Sequence, residues 1–82
     1  MRQKTIEALA ILLDFLRSYE ILSEVRPSNF HLNGKGFIHF HDEPDGLWAD
    51  VLLFNGRLRM PANIASEQAD VIGTIEPTLE PL

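Results

Sequence analysis

Phe37-Ile38-His39-Phe40-His41 alternates bulky apolar side chains with imidazoles, the period-two pattern of a β-strand covered on one side only. Its flanks make it the second strand of a hairpin. Phe30 to Leu32 precedes it across Asn33-Gly34-Lys35-Gly36, whose Asn and Gly tolerate positive φ. A three-residue loop with a glycine bulge pairs Leu32 with Gly36. It gathers Phe30, Leu32, Ile38 and Phe40 on the core face and leaves His31, Phe37, His39 and His41 on the other. A two- or four-residue loop mixes the two sets, so the first register is preferred.

Working outward, Asp42-Glu43-Pro44-Asp45-Gly46 is a turn, with Pro presetting φ and Gly able to take the left-handed position. The next strand is Leu47 to Phe54. Pairing Asp42 with Leu47 sets Phe40 opposite Ala49 and Ile38 opposite Val51 on the core side. On the other side it sets His41 opposite Trp48 and His39 opposite Asp50. Asn55-Gly56 then reads as a two-residue type I′ turn pairing Leu53 with Leu58, which sends Arg57 and Arg59 to the Asp50 side.

At the N-terminus Ile6, Leu9, Leu12, Leu13, Leu16 and Tyr19 recur at helical spacing, predicting one long helix from Gln3 to Leu22. Its apolar arc is roughly 200° wide, beyond the roughly 100° that one core contact uses. The surplus packs either on a second subunit, making a homodimer through this helix, or under the second helix. Pro27 ends helical continuation. After Pro61, Ile64, Gln68, Val71, Ile72 and Ile75 form a second helical stripe, with Asn63 or Ser66 as candidate N-cap and Pro77 as its stop. The tail from Thr78 to Leu82 is expected to fray or to dock by Leu79. The expected fold is therefore α+β: a two-layer sandwich in which a four-stranded antiparallel meander carries N- and C-terminal helices on one face.

The chain has 82 residues and no cysteine, enough for a single domain spanning residues 1–82 and one core, without disulfides or thiolate zinc sites. Hydrophobic residues at 45% and charged residues at 23% are the balance of a folded globular protein. A net charge of −5 opposes general nucleic-acid binding, which needs a basic surface. Glu7, Asp14 and Arg17 interrupt the N-terminal apolar run, so a secretory signal is not expected, and no window reaches the roughly 20 apolar residues that span a bilayer. A soluble cytoplasmic protein with no membrane contact is the expectation.

His39 and His41, two apart on a strand, project in one direction as a pair of imidazole ligands must. With His31 and Asp50 they form a candidate set for zinc or another first-row transition metal. The plainer reading makes them half-exposed strand residues whose rings cover sheet surface and pair with Asp50. The same face also reads as a pocket for an organic anion. Arg57 and Arg59 supply charge, Trp48 and Phe37 apolar walls, and His39 with Asp50 a proton acceptor of defined tautomer. Here the plainer reading is that both arginines offset the acid excess on an open face.

A nucleophile is absent, because there is no cysteine and no serine stands in a nucleophile setting. Asn33 to Gly36 lacks the glycine spacing of a phosphate loop. Asp42 to Gly46 lacks alternating acids, and Leu53 stands where a calcium loop needs its glutamate.

Arg26-Pro27-Ser28-Asn29-Phe30-His31-Leu32, followed by Gly36 to His41 and Trp48-Ala49-Asp50-Val51, resembles small uncharacterised proteins grouped under a luciferase-domain label. The resemblance covers roughly Arg26 to Ile75 and contains no catalytic motif. It implies no flavin site and no activity, only that the histidine strand belongs to a recurring layout.

The functional expectation is a non-catalytic module that uses the exposed sheet face to bind a small molecule or a protein. The alternative is a small metalloprotein or metal-dependent enzyme, and a third possibility is a purely structural subunit.

Overall fold

The histidine stretch lies inside the longest strand of a five-stranded antiparallel sheet in a computed structural model that describes residues 2–80. The order along the chain is α1 (Gln3–Ala8), α2 (Ala10–Arg17), β1 (Leu22–Arg26), β2 (Asn29–Leu32), β3 (Lys35–Glu43), β4 (Gly46–Leu53), β5 (Gly56–Pro61) and α3 (Ala65–Leu79). Neighbours in sequence are neighbours in the sheet, β1 and β5 being the edges. This is an α+β chain with helices at both ends and one strand more than the expected four.

The extra strand is β1, which begins at Leu22, the residue at which the sequence predicted the long helix to end. The helical stretch stops at Arg17, and Ser18 closes it by donating from Oγ to the Phe15 carbonyl, 2.6 Å away. Leu22 then enters the core from a strand, and the other four residues of β1 are exposed. A strand with one buried residue carries no alternation to read. Its charges, Glu24 and Arg26, blunt a sheet edge. Pro27-Ser28 turns the chain into β2, with Ser28 at φ 65° and its carbonyl accepting from the Phe40 amide at 3.1 Å.

The helix is also interrupted at Leu9, whose φ of −98° and ψ of 7° depart from helical values. At the break the buried Gln68 side chain donates from Nε2 to the carbonyls of Ala8 at 3.0 Å and Ala62 at 3.1 Å. This amide ties α1 and the start of α3 to one point. Leu9, Leu12, Leu13 and Leu16 are buried with Val71, Ile75 and Leu79 of α3 against Phe30, Ile38, Phe40, Ala49 and Val51 of the sheet. Most of the wide apolar arc is thus covered within the chain, and Ile11 stays 78% exposed.

The β3–β4 register is the one the sequence predicts, from Asp42↔Leu47 to Ile38↔Val51. The β2–β3 hairpin differs in detail. Its loop is two residues, Asn33 and Gly34, both at positive φ, and Leu32 pairs with Lys35 instead of Gly36. A bulge between Phe30 and His31 then absorbs one β3 residue and restores the expected Phe30↔Ile38 pair. Phe37, at the bulge, is buried beside Ile38 at 3% exposure, so it offers little accessible area to the open face.

The β4–β5 turn is Phe54-Asn55 rather than Asn55-Gly56, pairing Leu53 with Gly56 and Val51 with Leu58. The shift is by two residues, which preserves sides, so Arg57 and Arg59 still share the Asp50 face.

At the second helix, the N-cap is Ile64, neither Asn63 nor Ser66, and it makes no side-chain cap. Asn63 instead accepts from the Leu47 amide at 2.7 Å, while Glu67 reaches back to the Asn63 amide at 2.8 Å. Pro77 lies inside α3, which continues until Leu79 is buried. The rest of the tail forecast, Pro81 and Leu82, lies outside the described residues. No described helix is long and apolar enough to cross a membrane.

Candidate functional site

On the face away from the helices the register builds a row across all five strands. Arg26 pairs with Asn29, Asn29 with His39, His39 with Asp50 and Asp50 with Arg59. Neighbouring rows add His31 from β2, His41 opposite Trp48, and Leu52 opposite Arg57. Direct opposition does not decide which side chains touch. His41 Nε2 lies 2.7 Å from Asp50 Oδ2, so Asp50 engages the diagonal imidazole and not His39 directly across from it. The expected proton-acceptor pair of His39 and Asp50 is replaced by His41 and Asp50.

The His39 and His41 rings lie 4.2 Å apart between centroids, inclined at 56°. Partial burial lowers the His39 pKa from its ordinary value, and the neighbouring His41 lowers it further, while Asp50 acts in the opposite sense. His39 therefore favours its neutral form and keeps one nitrogen as an acceptor.

A groove of about 340 Å³ runs over this face, lined among others by Asn29, His31, His39, His41, Asp50 and Arg57. Phe37, itself buried, also lines it, and Leu52 supplies exposed apolar surface. A second hollow of about 420 Å³ continues it past the end of β2, over Arg26, Pro27 and Ser28 to Asp42. Asn29, His39 and His41 line both and form their common waist.

Of the residues singled out from sequence, His31, Phe37, His39, His41, Asp50 and Arg57 come together on the groove. Trp48 and Arg59 do not line it. The Arg59 guanidinium stacks 4.8 Å from the Trp48 ring centroid and reaches Glu43 at 2.8 Å, and the Trp48 indole N–H donates to Asp45 at 3.0 Å. These two residues form a closed cluster at the β3–β4 turn.

Among the described residues no group of three or more His, Asp or Glu side chains is arranged to hold a metal ion. His31, His39, His41 and Asp50 thus share a face without forming the ligand set their spacing suggested. Within that set the ion-pair contact is His41 Nε2 with Asp50 Oδ2 at 2.7 Å.

Asn29 and Arg26 were missed from sequence. Asn29 was legible one residue beyond the predicted strand, directly opposite His39. Arg26 was hidden because the stretch from Ser23 to Arg26, beyond the predicted helix, was assigned to no element. No protein-family model, curated protein or solved structure matches this chain.

Proposed function

We propose that the open sheet face is a non-catalytic binding surface for a small organic anion. One observation carries the reading. The groove gathers Arg57, His31 and His39 around a space whose only lining carboxylate among the described residues, Asp50, already contacts His41. A carboxylate or phosphate entering it meets donors and a guanidinium without an opposing free acid. Its volume of about 340 Å³ is that of a small-ligand site, and Leu52 offers apolar contact beside the polar groups.

The test is titration of benzoate and phenyl phosphate into isotope-labelled protein, with benzamide as the uncharged control. Support is a saturable shift at His31, His39 and Arg57 that benzamide does not reproduce and that Arg57→Gln weakens. Equal shifts with benzamide, or none with any of the three, remove the anion reading.

A further inference from the structure

The chain has five arginines, and three are paired with carboxylates: Arg2 with Asp42 at 2.8 Å, Arg17 with Glu24 at 2.7 Å and Arg59 with Glu43 at 2.8 Å. Arg26 and Arg57 have no carboxylate within ion-pair distance among the described residues, in a chain with twelve acids to seven bases. Those two are the arginines that line the joined hollows, one in each. The carboxylates lining the same hollows are engaged elsewhere. Asp50 contacts His41, and Asp42 accepts two hydrogen bonds from Arg2 and one from the Thr5 hydroxyl.

From this distribution we infer that the ligand is an elongated bis-anion, such as an α,ω-dicarboxylate. One end is held by Arg57 and the other by Arg26, with the chain crossing the waist at Asn29, His39 and His41. The inference rests on the anion-binding reading above. Arg26 is rooted on β1 and Arg57 on β5, four strand intervals apart, which is roughly 19 Å. A compact anion seated in one hollow meets the arginine of that hollow. A ligand with two separated charges meets both, and the second contact is made at the high effective concentration that the first creates. Asn29 and His39, opposite each other in the register, supply polar partners between the ends.

The test compares dicarboxylates from succinate to sebacate with their monomethyl esters, which keep the length and lose one charge. Binding is followed by backbone amide shifts at constant ionic strength. The best dicarboxylate is expected to bind about tenfold more tightly than its monoester, the worth of one charge-assisted contact, and to shift residues of both hollows. Arg26→Gln and Arg57→Gln, both at exposed positions, are each expected to bring the dicarboxylate down to the affinity of the monoester. Equal affinities along the whole series, or an affinity unchanged by Arg26→Gln, overturn the bis-anion inference and leave the single-anion reading standing. Absence of binding by every member of both series overturns both.

Discussion

His41 Nε2 contacts Asp50 Oδ2 at 2.7 Å although His39, not His41, sits opposite Asp50 in the sheet. The carboxylate thus serves the diagonal ring and leaves His39 beside a second imidazole on a partly desolvated surface.

The effect on His39 is measurable by NMR titration of its imidazole protons. In the wild-type protein its pKa is expected below the ordinary value, chiefly from desolvation and secondly from His41. His41→Gln removes a repelling charge and should raise it. Asp50→Asn removes the one attractive partner and should lower it further. A fall in His41→Gln or a rise in Asp50→Asn would overturn this assignment of the two neighbours.

Stability against acid follows from the ion pairs. The Arg17 guanidinium holds Glu24 below the usual carboxylate range, and Arg2, with Thr5, does the same for Asp42. A carboxyl whose folded pKa is depressed contributes stability that is present above its unfolded pKa and is lost as pH falls through the folded one. Glu24→Gln should cost about 0.5–1 kcal/mol at neutral pH, the scale of a solvent-screened pair. That difference should shrink towards zero as pH falls through the carboxylate range in urea melts. A difference independent of pH would assign the cost to packing.

Tyr19, the single tyrosine, donates to Glu80 Oε2 at 2.5 Å, which with adjacent charge pushes its pKa up to about 12. Because the folded chain keeps this proton longer than the unfolded one, the contribution is complete below the ordinary value near 10 and is lost as pH rises towards 12. Ultraviolet titration of tyrosinate should show the late transition, and Glu80→Gln should return it towards 10. An unshifted transition in the wild type would show that this contact does not form in solution.

Gly46 and Asn63 should be energetically coupled. A Cβ on Gly46, at φ 133°, would lie 2.6 Å from Asn63 Oδ1, the atom that accepts from the Leu47 amide. Gly46→Ala is expected to cost about 1–3 kcal/mol from strain and clash. Asn63→Ala is expected to cost about 1 kcal/mol from the lost acceptor. The double variant should fall short of their sum, because the clash disappears with the side chain. Additive denaturation energies would separate the two sites.

Gln68→Leu retains bulk but strips the donor from the Ala8 and Ala62 carbonyls. A loss of about 1–3 kcal/mol is expected by thermal unfolding, with groove residues on the far sheet face unmoved in amide spectra. Shifts reaching His39 would show that the break in the first helix controls the site.

Most of this protein was legible along the chain because the signals are local. Alternation from Ile38 to His41 set the sides of β3, Pro44 to Gly46 its turn, and with them the row of His39, His41, Trp48 and Asp50. Helical spacing of Leu9, Leu12, Leu13 and Leu16 marked the buried face of the first helices. These readings survive small errors of loop length, since a shift of two residues returns every side chain to the same face, as Arg57 and Arg59 show.

What only the tertiary structure decided depends on partners distant in sequence. The end of the helix before β1 follows from strand pairing with β2, the interruption at Leu9 lies where Gln68 reaches across from α3, and Phe37 is buried at a bulge. The partner of Asp50 was likewise chosen by side-chain reach across a diagonal that register does not encode. Periodicity specifies which face a residue occupies, because the backbone repeats. Which neighbour it then touches is settled only when all five strands and the helices are in place.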